Sequence, residues 1–246
     1  MDQDALLNSL PDRVAITIDI DWCADWMIDE TLKLLEYSSS PVIFLGTHAT
    51  HMNAEILAAN HKLGIHPNFI LEPQKSNTYE ELDRLLNAVT NRPEYIRSHG
   101  LRTEFAQLDQ TFMYIKTLKY DISLFTPNLL ASFRCGWRTT DNSGMVNQLN
   151  YHWEDSVYIR KSISFPNYRR ATGKPIIMNF HPVHLVTNAP SFDCYLELKK
   201  QHGSIAEIKR SDIIIYDYAL GPREIFKAAV KRSIDISSYL QSINKL

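Results

Sequence analysis

Five short apolar runs along the chain each end in histidines or carboxylates. They occupy residues 14–21, 42–48, 63–69, 95–100 and 176–184. A continuous rather than alternating apolar pattern is typical of a parallel strand that is buried on both faces. Ligands and catalytic groups gather at the carboxyl ends of such strands. The five polar endings therefore predict one functional site at that end of a parallel sheet.

The segments between these runs have the spacing of amphipathic helices. The pattern predicts helices over 25–37, 53–62 and 105–118 and from 77 onward, a strand over 120–125, and a terminal helix that opens at Gly221-Pro222. Residues 126–170 are rich in turns and aromatics and give no clear pattern. The alternation favours parallel βα units in a single domain over 1–246, as a barrel or as a doubly wound sheet. Residues 221–246 are expected to form a C-terminal helical extension.

Composition and charge are those of an ordinary globular protein and exclude several classes. The 246 residues carry a formal net charge of −2, which leaves no electrostatic footprint for nucleic acid or an anionic membrane. Three cysteines without a CxxC pair predict neither a zinc ribbon nor a disulfide framework. No apolar stretch approaches the roughly 18 residues that span a bilayer, and the amino terminus lacks a signal-peptide pattern. We therefore expect a cytoplasmic protein.

Two aspartates, Asp19 and Asp21, close the first apolar run. Residues i and i+2 of a strand point to one side, so the two carboxylates are expected on the same face. Carboxylates this close repel each other unless a cation separates their roles. Histidines at neighbouring strand ends supply ligands for zinc or a related metal, which activates water and polarises a carbonyl. Together these residue types indicate metal-assisted hydrolysis, although a DxD pair alone also occurs in sugar transferases and capping turns.

Five motifs resemble those of a known family, in the same order. They are Thr-Ile-Asp-Ile-Asp over 17–21, Gly-Ile-His-Pro-Asn-Phe over 64–69, Arg-Ser-His-Gly-Leu over 97–101, Trp-Glu-Asp over 153–155 and Asn-Phe-His-Pro-Val-His over 179–184. The set is similar to the polysaccharide deacetylases, the carbohydrate esterase family four enzymes with a NodB homology domain, and above all to their WbmS-like branch. The resemblance covers residues 11–190. It implies a distorted (β/α) barrel of about seven parallel strands, a divalent metal, and hydrolysis of an N-acetyl or O-acetyl group on a sugar.

The resemblance also implies roles for individual residues. The family's first motif has an aspartate base followed by a metal-binding aspartate, and these match Asp19 and Asp21. Because one residue separates the pair here, the two roles are open to exchange. His181 matches the general acid that protonates the leaving group. Asp155 is expected to pair with Arg97 and so to tune the base.

The family's second motif, which has two metal histidines four residues apart, is only half matched. His66 matches the first histidine, whereas Ile70 occupies the second position. One ligand must come from elsewhere, and we favour His99, whose neighbours match the third motif. His48 and the side-chain oxygen of Asn68 are the other candidates. The expected metal is zinc, with cobalt or nickel as alternatives.

Three other functions stay open at this point. One is a different metal-dependent amidase on a similar barrel, and another is an inactive carbohydrate-binding relative, which the departure at Ile70 makes reasonable. The third is a DxD sugar transferase, which is disfavoured because the eight glycines form no nucleotide-binding loop. For the favoured hydrolase, the expected partner is an acetylated sugar or oligosaccharide of surface-polysaccharide biosynthesis, and no nucleic acid.

Overall fold

In the part of the chain that the structure describes, nine strands form one sheet that curves into a nearly closed barrel. The computed structural model describes residues 10–69, 78–101, 105–127, 135–140, 144–161 and 175–243. The strands are β1 Val14–Asp19, β2 Ile43–Gly46, β3 Lys62–Ile65, β4 Tyr95–Ile96, β5 Tyr120–Phe125, β6 Cys135–Thr140, β7 Gly144–Tyr151, β8 Trp153–Glu154 and β9 Ile176–Phe180. Their order in the sheet is β6-β7-β5-β4-β3-β2-β1-β9-β8. All five apolar runs form strands, as predicted.

Helices connect most of the parallel strands. They are α1 Asp25–Leu34, α2 Met52–Ala58, α3 Thr78–Ala88, α4 Phe105–Tyr114, α5 Asp155–Ile159, α6 Pro182–Thr187, α7 Phe192–His202, α8 Pro222–Val230 and α9 Ile236–Ile243. The first, second and fourth helices end earlier than the apolar spacing predicted. The described residues of region 126–170, which gave no clear pattern, include three strands, β6 to β8. None of the helices in the described ranges combines the length and apolar character that crossing a membrane requires.

Strands β7 and β8 follow each other in the chain but lie near opposite ends of the strand order. They therefore bring the two ends of the sheet together. Only His152 separates these strands, and β7 pairs with β5 whereas β8 pairs with β9. In the described residues, every strand pairing is parallel except that of β6 with β7. The eight parallel strands exceed the expected seven because the pairing partner changes at His152, which divides one extended segment into two strands.

The two faces of β1 pack into different cores. Ile16 and Ile18 of β1 belong to the larger core, which also includes residues of the surrounding helices. Ala15 belongs to a second core formed by strand residues together with Ile236 and Leu240 of α9. Burial on both faces explains why β1 is apolar without alternation. Thr17 and Asp19 continue the face of Ala15, so the inner face becomes polar toward the carboxyl end of the strand.

Candidate active site

Asp19 is the last residue of β1, and Asp21 lies beyond it in a left-handed turn. Asp21 and Trp22 have φ angles of 43° and 53°. Between the aspartates, Ile20 is fully buried and donates its N–H to the Leu45 carbonyl at 3.1 Å. The prediction that both aspartates lie on one strand face is therefore wrong, because the strand ends before Asp21. Both carboxylates nevertheless line one pocket, one from the barrel interior and the other from the turn.

The carboxylate of Asp21 lies among three imidazoles. Its Oδ1 is 3.3 Å from His66 Nε2 and 3.1 Å from His99 Nδ1. Its Oδ2 is 3.2 Å from His181 Nε2. Ligand atoms of Asp21, His66 and His99 all lie within 4.8 Å of one another, and these three residues form the first cluster. The structure thus brings together the three residues that the sequence favoured as metal ligands.

A hydrogen bond determines which nitrogen of His66 faces this cluster. His66 Nδ1 is 2.8 Å from the carbonyl oxygen of Arg97, which can only accept, so in the neutral ring Nε2 keeps the lone pair. His99 Nδ1 lies 3.1 Å from that nitrogen, and the Trp22 ring meets the His99 ring edge-on. Two imidazole nitrogens and a carboxylate oxygen that converge in this way suit a cation such as zinc. The donor set therefore fits the metal that the resemblance implies.

The charges of the cluster shift the pKa values of its members in opposite directions. Burial raises the pKa of Asp21, but hydrogen bonds from His181, His66 and His99 outweigh it and hold the pKa well below its usual value. Burial lowers the pKa of His66, but the charge of Asp19 and the hydrogen bond to Asp21 raise that pKa above its usual value. A cation that binds here therefore competes with a proton for His66.

Asp19 is held from two sides within the barrel. Arg97 Nη1 donates to Asp19 Oδ1 at 2.9 Å, and Asn179 Nδ2 donates to Asp19 Oδ2 at 2.8 Å. The buried guanidinium of Arg97 also donates to Thr17 Oγ1 and to the Ile122 carbonyl, each at 2.9 Å, and to Asn179 Oδ1. The sequence interpretation missed Thr17 and Asn179 as supports. A polar residue within an otherwise apolar strand is the signal that could have identified them.

Asp155 does not pair with Arg97, contrary to the expectation. Both of its oxygens contact His181, since Oδ1 is 2.6 Å from His181 Nδ1 and Oδ2 accepts the His181 backbone N–H at 2.8 Å. The cause is topological, because Asp155 follows β8 and His181 follows β9, and these strands are neighbours. Burial lowers the pKa of His181, but the charge and hydrogen bond of Asp155 raise it well above its usual value.

His184 brings a second imidazole to Asp155. Its Nδ1 is 3.2 Å from Asp155 Oδ1, yet neither ring nitrogen of His184 makes a hydrogen bond of acceptable geometry within the described residues. Burial raises the pKa of Asp155, but the charges of His184 and His181 hold it well below its usual value. Asp155, His181 and His184 thus form a second, buried cluster around one carboxylate.

The other ligand candidates lie outside both clusters. His48 Nδ1 is 2.9 Å from Thr47 Oγ1, and burial lowers the pKa of His48. The backbone N–H of Asn68 donates to Glu81 Oε1 at 3.0 Å. Neither His48 nor Asn68 lines the pocket of the two clusters. Ile70 lies outside the described residues.

Residues of both clusters line one pocket with a volume of about 280 Å³. This is close to the lower end of the size range of small-molecule sites, so the pocket suits a single sugar unit. Its wall also includes Tyr151, Glu154, Ser156, Arg160, Phe192 and Tyr195. Carboxylates, imidazoles and aromatic faces are therefore combined around one small space.

Several solved structures are similar to the chain, among them two bacterial proteins. A protein of Bordetella bronchiseptica, assigned as a polysaccharide deacetylase involved in O-antigen biosynthesis, matches with a TM-score of 0.73 and 26% identity over 91% of each chain. A Mycobacterium smegmatis protein, also assigned as a polysaccharide deacetylase, matches with a TM-score of 0.47 and 14% identity over 69% of this chain and 76% of its own. The first match supports the barrel fold, and the second is too weak to support an argument. No curated protein matches the chain.

The family itself is identified by a sequence model. The model of the WbmS-like polysaccharide deacetylases matches residues 16–199, well over half of the chain. This range contains all five motifs and both clusters, which confirms the resemblance first seen in the sequence. The chain belongs to the WbmS-like family of polysaccharide deacetylases.

Proposed function

We propose that the protein is a metal-dependent hydrolase that removes an N-acetyl or O-acetyl group from a sugar. The observation that carries the proposal is the convergence of Asp21, His66 and His99, whose ligand atoms lie within 4.8 Å of one another. They line a pocket of a size that suits one sugar unit. Family membership supports carbohydrate deacetylation as the reaction class. It also disfavours the sugar-transferase alternative.

Asp21, His66 and His99 are the proposed metal ligands. One carboxylate and two imidazoles resemble the three-ligand sets of catalytic zinc sites, and cobalt or nickel accept similar donors. When bound, the metal would polarise the acetyl carbonyl and acidify the attacking water. The hydrogen bond of His66 to the Arg97 carbonyl fixes the orientation of its ring, and the Trp22 ring packs against the His99 ring.

Asp19 is the proposed general base. Its Oδ2 faces the first cluster, 3.8 Å from His66 Nε2 and 3.9 Å from His181 Nε2. Arg97 and Asn179 hold the carboxylate so that its Oδ2 stays directed toward a water beside the first cluster. Asp21, which contacts three imidazoles instead of a guanidinium, is better suited to bind a metal than to accept a proton.

His181 is the proposed general acid. Asp155 binds its Nδ1 and raises the pKa of the ring, so that His181 keeps a proton near neutral pH. The opposite nitrogen, Nε2, lies in the pocket 3.2 Å from Asp21 Oδ2. A proton on Nε2 is therefore available to the leaving amine or alkoxide. Asp155 acts through His181 and is a positioning residue.

The biological substrate is proposed by analogy with the Bordetella protein. That protein is assigned to O-antigen biosynthesis. We infer that the present chain acts on an acetylated sugar or oligosaccharide of surface-polysaccharide biosynthesis.

Release of acetate tests the proposed function. Purified protein is loaded with zinc, cobalt or nickel, incubated with N-acetylated and O-acetylated sugars and oligosaccharides, and assayed for free acetate. We expect near-stoichiometric metal and release from at least one sugar, with both lost in Asp21→Asn. Sugar binding without metal or acetate release would indicate an inactive carbohydrate-binding relative. Hydrolysis of cyclic or non-sugar amides alone would indicate a different amidase.

A further inference from the structure

Two arginines line the pocket, and their charges are used differently. Arg97 is buried and bound to Asp19. Arg160 follows α5, is exposed, and has no carboxylate within 4.0 Å among the described residues. Its guanidinium carbon lies 3.8 Å from the centre of the Phe192 ring. The wall of the pocket therefore holds an arginine that is oriented by an aromatic ring and whose charge is not paired within the described part of the chain.

The carboxylate of Glu154, on the same wall, does not neutralise Arg160. Its Oε2 accepts a hydrogen bond from the Tyr151 hydroxyl at 2.8 Å, and its Oε1 accepts one from Ser156. No ion pair joins Glu154 to Arg160, both of which the structure describes. The hydrogen-bonding capacity of the Arg160 guanidinium is thus available to a ligand that enters the pocket.

An aromatic wall connects Arg160 to the second cluster. The rings of Phe192 and Tyr195 have centroids 5.3 Å apart, and the Tyr195 ring meets the His184 ring edge-on at 5.3 Å. The Tyr195 hydroxyl makes no hydrogen bond to any residue in the described part of the chain. Aromatic faces of this kind accept the apolar face of a sugar. A sugar against this wall can therefore present one substituent to the clusters and another to Arg160.

We propose that Arg160, together with the Tyr195 hydroxyl, forms an anion-binding subsite that selects acetylated sugars carrying a carboxylate or phosphate group. This inference rests on the proposed function in one respect, namely that the acetyl group of the sugar lies at the first cluster. A guanidinium recognises both anions, because its planar fork donates two parallel hydrogen bonds to a pair of oxygens. The proposal names the substrate class as an acidic sugar, either a uronic acid or a sugar phosphate.

Binding of simple sugars tests the subsite without requiring turnover. The probes are methyl β-D-glucuronide, glucose 1-phosphate and methyl β-D-glucoside, titrated into the metal-loaded protein by calorimetry. We expect at least one anionic probe to bind about tenfold more tightly than the neutral glucoside, a difference of about 1.4 kcal/mol. The anionic probe that binds more tightly shows whether the subsite takes a carboxylate or a phosphate. In Arg160→Gln this preference should disappear.

The control variant is Arg210→Gln. Arg210 also lies over an aromatic ring, that of Trp26, but it is paired with Glu30 at 2.6 Å and does not line the pocket. Its substitution should leave the anionic preference intact. In Arg160→Lys, glucuronide binding should weaken more than phosphate binding, because an ammonium still binds phosphate as a point charge but cannot donate the two parallel hydrogen bonds of the fork to a carboxylate.

Two results would overturn the subsite. One is equal affinity of the wild type for all three probes. The other is an undiminished preference of Arg160→Gln for the anionic probes, which would indicate that the anion binds the metal instead of Arg160. If the protein releases no acetate from any sugar yet binds anions through Arg160, the proposed function fails and the subsite stands. Acetate release together with anion binding that does not depend on Arg160 would support the proposed function and overturn the subsite.

Discussion

The carbonyl oxygen of Arg97 accepts a hydrogen bond from His66 Nδ1 at 2.8 Å. The side chain of the same arginine donates to Asp19 at 2.9 Å. One residue at the end of β4 therefore orients a proposed metal ligand through its backbone and the proposed base through its guanidinium. These two contributions can be separated experimentally, because a substitution removes the side chain and keeps the carbonyl.

Arg97→Met should lower stability and activity while metal affinity changes little. The variant leaves Asp19 buried without its cation, and loss of one partner of a buried pair costs about 3–5 kcal/mol. Urea unfolding measures the stability, and titration against a chelator measures the metal affinity. The control is Arg210→Gln, which removes an exposed ion pair and should cost at most about 1 kcal/mol. Equal stability losses in both variants would contradict the importance of the buried pair.

Substitution of His99 and of His48 distinguishes two of the three candidates for the third ligand. His99→Ala should reduce zinc affinity by more than the roughly 10–100-fold that loss of a supporting residue costs. His48→Ala is the matched control and should leave affinity nearly unchanged, because His48 contacts Thr47 instead of the cluster. Competition with a chromophoric chelator gives both values. A larger loss of zinc affinity in His48→Ala than in His99→Ala would identify His48 as the third ligand.

The two aspartates should respond differently to conversion to asparagine. Asp19→Asn is expected to retain bound metal and to lose about 100- to 10,000-fold in kcat, the usual contribution of a general base. Asp21→Asn is expected to lose the metal as well as the activity. Metal content by atomic spectroscopy, measured beside acetate release, separates the cases. If Asp19→Asn loses metal and Asp21→Asn keeps it, the two roles are exchanged.

The strand framework and the convergence of the ligands could be predicted from sequence for a simple reason. Strands buried on both faces are apolar throughout, so the end of each run locates the end of a strand. Because carboxyl ends of parallel strands meet at one side of the sheet, His66, His99 and His181 could be expected close together. Asp21, His66 and His99 indeed lie within 4.8 Å of one another.

Details that depend on tertiary contacts could not be predicted in this way. Asp21 has a φ angle of 43° directly after the buried Ile20, and the local apolar pattern does not reveal this left-handed turn. The pairing of Asp155 with His181 depends on β8 lying next to β9, a neighbour relationship set by the closure of the barrel. The sequence before Asp155 gave no clear strand pattern. The strands β7 and β8, which bring Asp155 next to His181, could therefore not be predicted.

The pH dependence of stability should report on His152, the residue at which the pairing changes. His152 is only 3% exposed, its Nδ1 accepts the Ile177 backbone N–H at 3.3 Å, and burial lowers its pKa to about 4. Between pH 6.5 and 4 the unfolded state therefore binds more protons at this site, so the contribution of His152 to stability falls as the pH is lowered, by about 3 kcal/mol at most, and this loss is complete below pH 4. His152→Asn, which keeps an acceptor, should remove this loss, whereas the control His202→Asn should retain it. Urea unfolding at several pH values measures the difference, and parallel curves for wild type and His152→Asn would contradict the assignment.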